Sequence, residues 1–93
     1  MTTERSVFVA IASYTDPELP RTLRDALEMA RAPDRLRFGI CWQADPAQPI
    51  DLGAFRGDRR FRFVDATIRE SRGGPWARNR AQSLWRGEPY TLQ

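Results

Sequence analysis

The stretch Ser6-Val-Phe-Val-Ala-Ile-Ala-Ser13 decides the fold class. It is a near-continuous apolar run of strand length, rich in β-branched residues. Such a run fits a strand buried on both faces, as in a parallel sheet covered by helices. Polar residues and two prolines in Tyr14-Thr-Asp-Pro-Glu-Leu-Pro20 end the run. Asp16 followed by Pro17 offers an N-cap acceptor and then a residue with preset φ, so a helix is predicted to open there. Leu19, Leu23, Ala26, Leu27 and Ala30 recur at helical spacing, with Arg21, Arg24, Asp25, Glu28 and Arg31 on the opposite side. This is an amphipathic helix, and Pro33 is predicted to end it. Arg35-Leu-Arg-Phe-Gly-Ile-Cys-Trp42 reads as a second strand. Within it, Trp42 reads as core and Cys41 as an inert strand residue.

Further out, Gln43 to Asp58 carries Pro46, Pro49, Gly53 and Gly57 among scattered apolar residues. This is a predicted loop with a helical turn around Asp51 to Phe55. Arg60-Phe-Arg-Phe-Val-Asp65 alternates as a third strand whose arginines mark a less buried face. Arg69 to Gly74 is a loop, and Pro75 opens a second helix predicted to run to Arg86, with Gly87 as its stop. Ala77, Ala81 and Leu84 form its core stripe, and Trp76 and Trp85 are expected to cover the sheet. Tyr90 begins a fourth strand. The order implies an α/β fold: a mostly parallel sheet of three to four strands, two main helices and right-handed crossovers.

Composition narrows the function classes. The chain has 93 residues, 41% of them apolar and 11% aromatic, enough for one small core and no second one. Its longest apolar stretch, Val7 to Ala12, is far short of the roughly 20 residues that span a membrane. Met1 to Ser6 lacks a basic-then-apolar leader pattern, which predicts a cytoplasmic location. With no His and only Cys41, the chain holds no internal disulfide, no His-based triad and no structural zinc site. Any metal would rest on carboxylates. All 15 cations are Arg against 12 acids, a net charge of +3 that matches the codon bias of a GC-rich genome. A nucleic-acid surface built from Arg37, Arg59, Arg60, Arg62, Arg69 and Arg72 is disfavoured, because no basic run exceeds two residues and acids interrupt throughout.

In an open parallel sheet, ligands sit beyond the carboxyl ends of the strands, where the connections diverge. Three segments fall there: Ser13 to Asp16, Gln43 to Asp45, and Arg72-Gly-Gly leading into Pro75-Trp-Ala-Arg78. A helix start preceded by glycines lets free backbone N–H groups approach a phosphate, and Arg78 lies about one turn inside. An Arg grips phosphate well because its planar fork donates two parallel hydrogen bonds.

Three blocks carry a family resemblance: Val7 to Tyr14 with Asp16-Pro-Glu-Leu and Thr22-Leu-Arg-Asp-Ala-Leu, then Arg35 to Gln43, then Ser71 to Gln93. In this order the chain resembles the amino-terminal part of the GlcNAc-type glycosyltransferases. That family is similar to the enzymes that transfer N-acetylglucosamine from UDP-GlcNAc to polypeptide hydroxyl groups. The resemblance implies a partial GT-A, Rossmann-like nucleotide-binding fold, with residues 1–93 as the amino-terminal half of one larger domain. It implies that Ser13 and Tyr14 cup the nucleoside and that Gly73 and Arg78 approach the phosphates. Asp45 stands near the place of a nucleotide-facing acid, although Trp42-Gln43 replaces the usual acidic pair. In the family, the fourth strand runs on into an Asp-x-His-like motif that holds Mn²⁺ or Mg²⁺. The sequence ends at Gln93, before that motif, so the divalent metal of the intact enzyme would lack its ligands here and this chain alone would not be competent. The implied partners are a UDP-sugar and a hydroxyl acceptor on protein or glycan. Two other readings stay open: a non-catalytic nucleotide-binding module, and a homo-oligomer formed through an exposed sheet edge. At the level of single residues, Tyr14 can equally be a packed strand aromatic and Arg78 a solvated helix residue.

Overall fold

A computed structural model of the protein describes residues 6–92. Residues 1–5, most of the Met1 to Ser6 segment that reads as lacking a leader pattern, and Gln93 lie outside them. The elements follow the predicted order: β1 (Val7–Tyr14), α1 (Leu19–Met29), a short 3₁₀ turn (Pro33–Arg35), β2 (Leu36–Ala44), α2 (Gly53–Arg56), β3 (Phe61–Thr67), α3 (Gly74–Gln82) and β4 (Tyr90–Leu92). The four strands form one sheet in the order β3-β2-β1-β4, and every pair is parallel. The α/β class and the parallel sheet read from the sequence hold.

Register sorts the side chains into two layers. Val9 and Ile11 stand beside Phe38 and Ile40, and beyond these lie Phe61 and Phe63, all on one face. There Leu19 and Leu23 of α1 and Leu52 and Phe55 from the α2 region close over them. Phe38 stacks on Phe61 with ring centroids 4.8 Å apart, and Phe55 meets Phe61 edge-on at 5.1 Å. Trp42 belongs to this core, as read. On the opposite face small residues meet directly under α3, Ala10, Gly39 and Cys41 of the sheet against Ala77 and Ala81, with the buried Phe8 ring, Val64 and Trp76 around them. A Cβ on Gly39 would stand 2.4 Å from a Phe8 ring carbon and 2.7 Å from the Ala81 carbonyl oxygen. Only glycine lets α3 come that close.

The helix ends depart from the sequence reading. Asp16 does not start α1. Its carboxylate accepts the Glu18 N–H at 2.9 Å in a turn, and the helix begins at Leu19 with Pro20 in its first turn. The helix stops at Met29, and Pro33 opens the 3₁₀ turn instead of ending α1. α3 ends at Gln82, short of the predicted Arg86, because Leu84 and Trp85 N–H groups tighten onto the Ala81 and Gln82 carbonyls. Gly87 does take a positive φ of 92°, but in the loop beyond the helix. Trp76 packs against the sheet, whereas Trp85 is half exposed and donates its indole N–H to the Glu88 carbonyl at 2.8 Å.

That loop carries a buried ion pair that the sequence did not announce. Glu88 is 2% exposed, and the Arg62 guanidinium of β3 donates to both its carboxylate oxygens while also reaching the Leu84 carbonyl. Burial pushes the Glu88 carboxyl up, but the hydrogen bonds from Arg62 and from backbone N–H groups outweigh it and hold the group at about 2. Arg60 holds the Asp58 carboxyl below its ordinary value by the same kind of contact, against a smaller opposing effect of burial. Arg60 and Arg62, two of the arginines weighed for nucleic acid, are thus bound internally.

Candidate functional site

The strand order locates the site. From β1 the chain crosses by α1 to β2 on one side, and from β3 it returns by α3 to β4 on the other side of β1. The connections diverge at β1, and α1 and α3 cover opposite faces, so the crevice of such a sheet opens at the carboxyl end of β1. The end of β1, the β2–α2 turn and the lead-in to α3 all lie on this edge.

Ser13 is 5% exposed, and its Oγ has no hydrogen-bond partner among the described residues. Tyr14 alternates to the other face and is 56% exposed, so it is not a packed strand aromatic. Thr15 follows with φ 43°, a left-handed conformation that costs a β-branched residue energy. Its N–H donates to the Gln43 carbonyl at 2.8 Å, while its buried Oγ1 has no partner among the described residues. Two buried hydroxyls with no partner among the described residues, and one strained residue, therefore gather at the end of a single strand. Buried polar groups are ordinarily hydrogen-bonded, so this end has unmet bonding capacity.

Asp45 sits on the same edge, but its carboxylate is engaged: Oδ1 accepts the Ala47 N–H at 2.9 Å and closes a turn. Asp65 beyond it is held by the Arg56 guanidinium through two hydrogen bonds, at 2.6 and 3.1 Å. Among the described residues no three His, Cys, Asp or Glu side chains gather to hold a metal ion. The described carboxylates do not fit a divalent-metal site.

Gly73 caps α3 with φ 95°, a conformation that favours glycine, and no side chain caps the helix start. The free N–H groups of the first turn are therefore open to a ligand, and the helix dipole makes this end positive. Arg78 is exposed and folds back over it. Its Nη1 and Nη2 atoms would be 3.9 and 4.0 Å from a Cβ placed on Gly74. Among the described residues no carboxylate lies within 4.0 Å of this guanidinium. A cation parked at the positive end of a helix is the reverse of the favourable arrangement, and an anion between the two reconciles them.

The residue that joins these parts falls within the Gln43 to Asp45 segment read from the sequence, but the sequence assigns it no role of its own. Gln43, 3% exposed at the end of β2, donates Nε2 to the Ser13 carbonyl at 3.1 Å and accepts the Ser71 hydroxyl at Oε1. The Ser71 Oγ in turn accepts the Gly73 N–H at 3.4 Å. The signal available was a polar residue closing an otherwise buried strand. Cys41 lies one layer below, where burial raises its thiol above the ordinary value, consistent with an inert residue.

Three comparisons with known proteins bear on this edge. A family model described as Glycosyltransferase (GlcNAc) matches residues 6–54, just over half of the chain. The match spans β1, α1 and β2, and so includes Ser13, Tyr14 and Asp45 but not Gly73 or Arg78. No curated protein and no solved structure matches the chain.

Proposed function

Because the chain belongs to the glycosyltransferase (GlcNAc) family, we propose that the carboxyl edge of its sheet binds UDP-GlcNAc. In an intact enzyme of this family the sugar would then pass to a hydroxyl acceptor on a protein or glycan. The observation that carries this reading is the unpaired Arg78 folded over the uncapped start of α3, a place suited to a diphosphate. Ser13 and Tyr14 cup the nucleoside, to which exposed Tyr14 offers an apolar face, with the buried Ser13 and Thr15 hydroxyls behind them. Neutralising the diphosphate favours both its binding and its departure as UDP, and the guanidinium and backbone N–H groups supply the positive charge for this. Asp45 holds its turn through Oδ1 and is left with Oδ2 to face the ligand.

Titration of the protein with UDP and UDP-GlcNAc, with and without Mn²⁺, tests the reading by amide chemical shifts. Shifts are expected at Ser13, Tyr14, Thr15, Gly73 and Gly74. Arg78→Ala should weaken UDP about tenfold with stability unchanged, as for loss of one charged hydrogen bond. Absence of shifts at these residues overturns it.

A second reading, self-association, is favoured by one observation. β4 pairs only with Val7 to Val9, so Ala10 to Tyr14 of β1 have no partner on that side among the described residues. A mass that rises with concentration in sedimentation supports this reading, and a constant monomer mass removes it.

A further inference from the structure

The two halves of the proposed site stand on different elements, the end of β1 and the start of α3, and a single side chain bridges them. Gln43 reaches the Ser13 carbonyl with its amide nitrogen and the Ser71 hydroxyl with its amide oxygen. A carbonyl only accepts, so the amide can face Ser13 one way alone, and its oxygen is then committed to Ser71. Ser71 passes the connection to the Gly73 N–H, and the Gly73 carbonyl accepts the Ala77 N–H, an early hydrogen bond of α3. From Ser13 to Ala77 the contact is an unbroken chain, and its central side chain is almost fully buried.

We propose that Gln43 is a positioning residue that couples the nucleoside and diphosphate halves of the edge, so that occupancy of one orders the other. The inference rests on the nucleotide reading above. The coupling is physical: packing of Ala77 and Ala81 holds the body of α3 on the sheet, while the Ser71–Gly74 lead-in, with φ 95° at Gly73 and no side-chain cap on the helix, is held by this chain of hydrogen bonds. A ligand that rigidifies the Ser13 end reduces the freedom of Gln43 and, through Ser71, of Gly73. The second half of the ligand then meets a segment already ordered, which is positive cooperativity between the parts of one molecule. Neither Ser71 nor Gln43 needs to touch the ligand for this.

The experiment compares the wild type with Gln43→Met, which keeps the length of the side chain and removes both hydrogen bonds, and with Ser71→Ala, which cuts the chain at a less buried point. Two measurements are made on each: amide hydrogen exchange without ligand, and chemical shifts on titration with uridine and with UDP. Uridine carries no phosphate, so in the wild type its effect at Gly73 and Gly74 reports the coupling alone. The expected results are faster exchange of the Gly73 and Ala77 amides in both variants, by about tenfold, with α1 unchanged. Uridine should still shift Ser13 and Tyr14 in the variants but no longer Gly73 or Gly74, and UDP should bind about tenfold more weakly. Should Gln43→Met fail to fold, Ser71→Ala carries the test. If both halves move together in the folded variants, or Ala77 exchange is unchanged, the coupling falls while the nucleotide site stands. If UDP leaves the wild type unperturbed, the nucleotide reading falls and the coupling falls with it.

Discussion

The two faces of the sheet solve the same problem with different materials. One is thick: Phe38, Ile40, Trp42, Phe55 and Phe61 interdigitate with leucines of α1, and the helix rides on their side chains. The other is thin: Gly39, Cys41, Ala77 and Ala81 let α3 settle almost onto the backbone of β2. Apolar area removed from water scales with side-chain size, so the thick face supplies most of the hydrophobic stabilisation. The thin face supplies position. With few side-chain atoms between helix and sheet, there is little slack in where the start of α3 stands relative to the ends of β1 and β2. That face carries the candidate anion site.

The sharpest way to break the contrast is on the thick side. Phe38→Ala removes a ring that stacks on Phe61, and should cost about 3–5 kcal/mol in urea unfolding. The thin side has its own large contribution, but an ionic one. Glu88→Gln leaves the Arg62 guanidinium short of its counter-charge, 11% exposed, and should cost about 3 kcal/mol at neutral pH. The Glu88 carboxyl lies at about 2 in the folded protein against an ordinary 4.5. Because its value is depressed, its contribution is present above pH 4.5 and is lost as the pH falls from there toward 2. Unfolding measured from pH 6 downward should therefore show a stability slope that is shallower in Glu88→Gln. Smaller in energy but more pointed is Gly39→Ala, expected to cost about 1–3 kcal/mol and to shift the Ala77 and Ala81 amides as α3 is pushed outward. Ile40→Val, next along the strand but facing α1, should cost about 0.5–1.5 kcal/mol and leave α3 where it is. Equal α3 shifts in the two variants would remove the distinction between the faces.

Much of the fold was legible because its signals are local. Val7 to Ala12 and Phe38 to Trp42 read as buried strands from their own composition, and Leu19, Leu23 and Leu27 as a helix face from their spacing. The ends of α1 and α3 were misread for a physical reason. Asp16 spends its carboxylate on a turn two residues ahead of the helix, and α3 is cut short by a loop that wraps a buried acid. Nothing near Glu88 in sequence reveals Arg62; a Gly-Glu-Pro segment reads as solvated surface. The site divides the same way. Ser13, Tyr14 and Gly73 stand at element ends that a topology argument can point to, and Arg78 one turn inside the helix that follows. Thr15 with its left-handed backbone, and the Gln43–Ser71 contact between distant positions, exist only once the strands are in register.

β4 is the shortest strand, three exposed residues paired to Val7, Phe8 and Val9. Its partner lies at the other end of the chain, so this pairing closes the longest loop in the protein. The loop entropy of that closure is recovered only after β1, β2 and β3 have assembled, and few contacts repay it. β4 should therefore dock last in folding and leave first in native-state opening, as a unit separate from the rest of the sheet. Glu88, held by Arg62 just before the strand, serves in this order of events as the tether that keeps a departed β4 close enough to return.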